Sequence, residues 1–298
     1  MSMLRVVTPE KPAHPSSLPL SLASMQVDIA TRLGAPVPVT PTGIKALDVM
    51  LGGGLRAGTV LTLCGQPGSG RTALSLLIAY MAARTRAGVI VTSVTLDETE
   101  VVARLAARAI NREYPAARIS YATIWNGEAF SHDETRRVVN TAVETVHQKV
   151  GGFLHLGRLG PSAPLHSLGD RLGAFWARHE RLVVVVDDLE AAVADPGQGS
   201  ADVETRVLDA AFMLRALAER GAAVICTCLE RHADLVAPAA TACARIVRTA
   251  SSEGGEWGAE LVLTKNRMGP VGVVALHLAP GTMQLTERRP AGGPNDRA

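Results

Sequence analysis

The stretch Gly65-Gln66-Pro67-Gly68-Ser69-Gly70-Arg71-Thr72 decides how this chain is read. An apolar run, Thr59 to Cys64, precedes it and an Ala/Leu-rich segment, Thr72 to Ala83, follows, so the glycines fall where a strand turns into a helix. A loop this rich in glycine can turn its backbone N–H groups inward around a phosphate, and the helix that starts there adds the positive end of its dipole. Thr72 supplies the hydroxyl that a Mg²⁺ ion needs. Arg71 stands where the pattern usually has Lys, and the bulkier, forked guanidinium is not a conservative exchange for a slim ammonium. Nucleotide binding is therefore the stronger expectation, ahead of fast hydrolysis.

Outward from this loop, two further apolar runs end in acid. Val89 to Thr95 reads as a strand buried on both faces and is followed by Asp97 and Glu98. In an open parallel sheet the C-terminal strand ends face the ligand crevice, which would bring this pair beside the phosphate loop to orient or deprotonate water. Asp97 equally suits the N-cap of a helix over Glu100 to Asn111, and the two roles are compatible. The run Leu182 to Val186 ends in Asp187-Asp188, and Asp187 is the candidate for holding Mg²⁺ through water.

The remaining segments are scaffold and connectors. Helices are expected over Asp133 to Val150, Pro164 to Ala177 and Glu204 to Arg220, and strands at Phe153 to Leu156, Val224 to Thr227, Ile246-Val247, Leu261 to Thr264 and Val271 to Leu278. Near the end, Lys265 and Arg267 alternate on one side of an emerging strand with Gly269-Pro270 turning behind them. Such a display suits a phosphate bound by a neighbouring subunit, or else a solvated hairpin edge. Four prolines mark residues 1–20 as a tail, and Leu22, Met25, Ile29 and Leu33 fall at helical spacing over Ser21 to Leu33. The expected organisation is a tail with a short helix over 1–40, a nucleotide-binding core over 41–280 and a C-terminal tail over 281–298.

Composition narrows the class. With 298 residues, 47% of them hydrophobic, the chain can bury a sizeable core. A net charge of +2 is too mild to argue for nucleic acid by itself. Lysine occurs only at Lys11, Lys45, Lys149 and Lys265, so Arg71 is in keeping with a chain that uses arginine nearly throughout. Cys64, Cys226, Cys228 and Cys243 show no Cys-x-x-Cys spacing and lie in apolar surroundings, as small hydrophobes do. No apolar run is long enough to span a membrane and no signal pattern opens the chain, so a cytoplasmic protein is expected.

In order along the chain, TPTGIKALDVMLGGGL, GQPGSGRT, the strand ending near Asp97, VVVVDDLE, VLDAAFMLRALAERG leading to AAVICTC, and LTKNRMGPVGVV resemble the RecA-like ATPase domain of the DnaB replicative helicases. LGGGL at Leu51–Leu55 and VTLDET at Val94–Thr99 look closer to the KaiC and RadA relatives. The resemblance implies an α/β, RecA-like P-loop fold with a mostly parallel sheet and a C-terminal β-hairpin, and a homo-oligomeric ring, usually a hexamer, with ATP and Mg²⁺ at each interface. One subunit would supply Gly65 to Thr72, Asp97 and Asp187, and the next Lys265 and Arg267 as fingers. Ser21 to Leu33 stands where the family has a linker helix, and Ala194 to Ser200 and Glu230 to Ala242 where it has loops that grip single-stranded DNA. Departures from the pattern are Arg71, Asp97 in place of Glu, Cys228-Leu229 where a polar Ser-Gln pair is usual, channel loops without a basic cluster, and no helical N-terminal domain ahead of the core. They point to an accessory helicase-type motor, or alternatively to a nucleotide-gated assembly or KaiC-like regulatory protein with little hydrolysis.

Overall fold

The computed structural model describes residues 33–160, 163–194, 202–251 and 256–288. The chain divides into two units, Met1–Val37 and Pro38–Ala298, and of the first only residues 33–37 are described. The linker-helix stretch (but for Leu33), the first channel loop beyond Ala194, and the tail past Arg288 lie outside the described residues.

The second unit is built on one nine-stranded sheet in the order β3-β2-β4-β5-β1-β6-β7-β8-β9. The strands β1 (Val60–Gly65), β2 (Gly88–Ser93), β4 (Leu182–Asp187) and β5 (Ala223–Leu229) pair in parallel, as does β3 (Leu154–Arg158) at the edge. Every residue of β1, β2 and β4 is buried. That is why they read as continuous apolar runs: helices cover both faces, and alternate side chains enter two separate cores. Leu61, Leu63, Val183 and Val185 pack with helices α1 (Lys45–Met50), α2 (Arg71–Arg84), α3 (Glu98–Glu113) and α4 (Asp133–Val150). Val60, Cys64, Val184, Val186 and Cys226 pack on the other face with α5 (Val203–Glu219). All four cysteines are buried and free, and burial pushes the Cys226 thiol up to about 12, so they fill space as expected.

Beyond β1 the sheet changes character. β6 (Ala242–Ser251) runs parallel to β1, then β7 (Trp257–Asn266), β8 (Gly272–Ala279) and β9 (Gln284–Glu287) follow antiparallel. This is a larger C-terminal meander than the hairpin expected, and β9 falls inside the stretch read as the tail at 281–298. Leu285, paired with Leu278 and buried, ties it to the sheet. The continuous helix expected over Pro164 to Ala177 is instead broken into turns at Leu165–Ser167, Leu168–Arg171 and Gly173–Trp176. Gly169 and Gly173 weaken helix propagation there.

Candidate phosphate-binding site

The loop from Gly65 to Thr72 joins β1 to α2 at the C-terminal edge of the parallel strands. Two of its glycines take backbone that side chains disfavour: Gly68 and Gly70 hold φ of +74 and +95°, and a Cβ on Gly70 would lie 2.5 Å from Leu278 Cδ2. The loop closes on itself through Ser69 N–H donating to Gln66 O at 3.0 Å, and α2 begins with Leu74 N–H donating to Gly70 O at 2.9 Å. Ser69 Oγ and Arg71 Nη1 are buried without a hydrogen-bond partner. Orphaned polar atoms of this kind are costly unless something fills the site, and a phosphate group supplies the acceptors that both lack. The residues present therefore fit a nucleotide's phosphates, with Arg71 turned into the site despite replacing Lys.

Thr72 and Asp187, the two candidates for the metal side, are in contact. Thr72 Oγ1 donates to Asp187 Oδ2 at 3.0 Å and lies 3.2 Å from Oδ1. A residue that sequence reading passed over completes the group: Thr227 Oγ1, fully buried near the end of β5, donates to Asp187 Oδ1 at 2.6 Å. It lies immediately before the Cys228-Leu229 pair. Burial raises the Asp187 pKa, while the two threonine hydroxyls oppose that shift by favouring the carboxylate. A divalent cation between Thr72 and Asp187 would relieve this cost, so the donor set fits Mg²⁺.

Asp97 and Glu98 take a different place. Asp97 is the N-cap of α3, its carboxylate accepting from Glu100 N–H at 2.7 Å, and Glu98 is the first residue of the helix. Both lie beyond β2, which β4 and β5 separate from β1. Among the described residues no hydrogen bond joins either to the loop or to Asp187.

Lys265 and Arg267 lie away from the loop in another direction, along the strands. Leu61 pairs with Ala242 and Gly65 with Ile246, while Asn266 pairs with Ala242. The turn at Arg267 is thus at the opposite end of the strands from the loop, about 13 Å away along β6 at 3.3 Å per residue. Arg267 is exposed there, and Lys265 Nζ donates to Ala237 O. Burial and the nearby Arg267 charge lower the Lys265 pKa.

Two features had no local signal in the sequence. On the β7–β8 side of the loop lies a cavity of about 230 Å³ lined by Arg104, Trp257, Leu278, Pro280 and Met283, with Gly68 to Ala73 as its floor. On the β5 side, Gln66 Nε2 donates to Glu230 Oε2 at 2.6 Å. Glu190 Oε1 fixes that turn by accepting from Leu229 N–H and pairing with His232 Nδ1, both at 2.7 Å.

A strand-loop-helix cradle with a buried metal-type carboxylate on the neighbouring strands, set in this sheet order, defines a RecA-like P-loop ATPase. Comparison with known proteins places the chain within that class. A family model described as ATPase, KaiC, matches residues 40–149. The DNA repair and recombination protein RadB of Halobacterium salinarum is 31% identical over 158 residues, covering 50% of this chain and 67% of that protein. The RadB of Archaeoglobus fulgidus is 49% identical over 43 residues, 14% of this chain and 20% of that one. Among solved structures, a DnaB-like replicative helicase superposes with a TM-score of 0.71 at 15% identity, covering 88% of this chain and 67% of that one. The flagellar accessory protein FlaH of Methanocaldococcus jannaschii gives 0.55 at 14% identity, with 85% and 100% covered. The chain belongs to the RecA-like P-loop ATPases of the DnaB, KaiC and RadB type.

Proposed function

We propose that this protein binds ATP with Mg²⁺ at the loop Gly65 to Thr72, assembles into a homo-oligomeric ring, and works in the cytoplasm as an accessory motor on single-stranded DNA. The observation that carries nucleotide binding is the pair of orphaned donors, Ser69 Oγ and Arg71 Nη1, beside the Thr72–Asp187–Thr227 cluster. In this reading the loop N–H groups, Ser69 and Arg71 hold the phosphates. Thr72 and Asp187 hold Mg²⁺, which when bound supplies positive charge between the phosphate oxygens. The apolar cavity with Trp257 takes the nucleoside. Asp97 and Glu98 orient water from the crevice side, and Lys265 and Arg267 complete the site of a neighbouring copy. Exposed Val49, Val271 and Val273 lie on α1, just before β8 and on β8, near the finger turn, which supports an interface there. The DNA assignment draws on the DnaB-like and RadB relatives.

Arg71 favours a second reading, in which nucleotide sets the assembly state and turnover is negligible. ATP turnover with and without single-stranded DNA, measured alongside solution mass in ATP·Mg²⁺, separates the two. DNA-stimulated turnover in a ring supports the motor; nucleotide-dependent assembly without turnover supports the regulator; no nucleotide binding refutes both.

A further inference from the structure

We infer that Glu230 is a specificity-determining residue that makes this site prefer a nucleoside diphosphate over a triphosphate. The inference rests on the reading of the loop as a nucleotide site.

The direction of a bound nucleotide follows from the two sides of the loop. The apolar cavity lies toward β7 and β8 and is floored by Gly68 to Ala73, without Gly65, Gln66 or Pro67. The cluster of Thr72, Asp187 and Thr227 lies toward β4 and β5. A phosphate chain running from the first to the second leaves its terminal group at the start of the loop, next to β5. Gly65 pairs with Leu229, so Gln66 and Glu230, the residues that follow on from the two strands, rise side by side at that end. Their 2.6 Å hydrogen bond sets a carboxylate where a third phosphate would arrive.

Glu230 is held there by its surroundings. It opens the turn Glu230–His232, and both flanks of that turn are anchored to one carboxylate: Leu229 N–H and His232 Nδ1 each lie 2.7 Å from Glu190 Oε1. His232 is only 3% exposed, so the turn is locked into the core. A terminal phosphate adds negative charge beside this fixed carboxylate and competes with it for the Gln66 amide. A diphosphate reaches neither. Like charges a few ångströms apart repel, and a Glu230 side chain that swings away gives up its hydrogen bond to Gln66.

The test is equilibrium binding of fluorescent ADP and of a non-hydrolysable fluorescent ATP analogue to the full chain and to Glu230→Gln, at constant free Mg²⁺. The amide keeps the length and can still accept from Gln66 Nε2, so the variant removes charge and little else. The triphosphate is expected to gain about tenfold in affinity relative to the diphosphate, equivalent to about 1.4 kcal/mol. That gain should shrink as salt is raised from low to high ionic strength, since the pair is solvent-accessible. An unchanged ratio, or a triphosphate that binds more weakly because Glu230 assists the metal, overturns the inference. Failure of the unmodified chain to bind either nucleotide overturns the reading of the site, and this inference with it.

Discussion

Replacing Thr227 with Val tests the metal-side cluster most directly. The exchange keeps shape and volume at a fully buried position and removes one interaction, the 2.6 Å bond to Asp187 Oδ1. A hydrogen bond to a charged group is worth about 1.5–3 kcal/mol net, and the carboxylate left behind keeps only Thr72 as a donor. We expect a loss near 2 kcal/mol at neutral pH, or about 4–8 °C in melting temperature for a domain of this size. The pH dependence has a definite sign. Burial raises the Asp187 pKa in the folded protein, so this group favours folding below the ordinary carboxylate range, and that benefit is lost as pH rises through its folded pKa. Thr227 offsets part of the cost of the ionised form. The deficit of Thr227→Val should therefore be largest at neutral pH and shrink toward the carboxylate range. Urea unfolding at pH 7.5 and pH 5, without nucleotide, reads this out. A neutral or stabilising substitution at pH 7.5 would refute the account, because it would mean that no carboxylate charge depends on Thr227.

Substitutions at three further positions address the rest of the site. Gly70→Ala forces a Cβ into Leu278 at φ +95°, and should cost about 1–2 kcal/mol for the left-handed backbone alone and abolish nucleotide binding; calorimetry measures both. Asp97→Ala should cost about 1 kcal/mol by uncapping α3, whereas Asp97→Asn keeps the cap. Turnover that survives Asp97→Asn would limit Asp97 to capping. Arg267→Ala should leave the stability of a single chain within about 0.5 kcal/mol and spare nucleotide binding, yet abolish the turnover that depends on assembly; loss of binding would contradict that assignment.

How much of this could be read from the sequence follows from where each signal lives. The loop, β1, β2 and β4 are local: a glycine cluster and apolar runs buried on both faces leave one assignment each. Thr72 and Asp187 stand out in the sequence as candidates because each is fixed by its own strand or loop end. Thr227 was not, since a threonine inside AVICTCL satisfies the rules for a β-branched core residue as well as those for a ligand. Gln66 and Glu230 are separated by 164 positions, and only the pairing of β1 with β5 joins them. β6 and β7 were longer than their apolar marks because pairing, not composition, sets their length. Asp97 was ambiguous in the sequence for a sound reason: the position at the end of β2 that points an acid to the crevice is also the first cap of the following helix.

The placement of Arg267 and the loop at opposite ends of the strands has a consequence for how the protein must be assayed. No rotamer of Arg267 spans that distance, so a solitary chain cannot serve itself. Any turnover that needs Arg267 should then rise faster than linearly with protein concentration until assembly saturates. Two inactive variants, one lacking Thr72 and Asp187 and the other lacking Arg267, should recover activity when mixed, since the pairing of an intact loop with an intact Arg267 occurs only across their shared boundary. Mixed at a fixed total concentration, they trace a bell-shaped curve with its maximum near equal amounts.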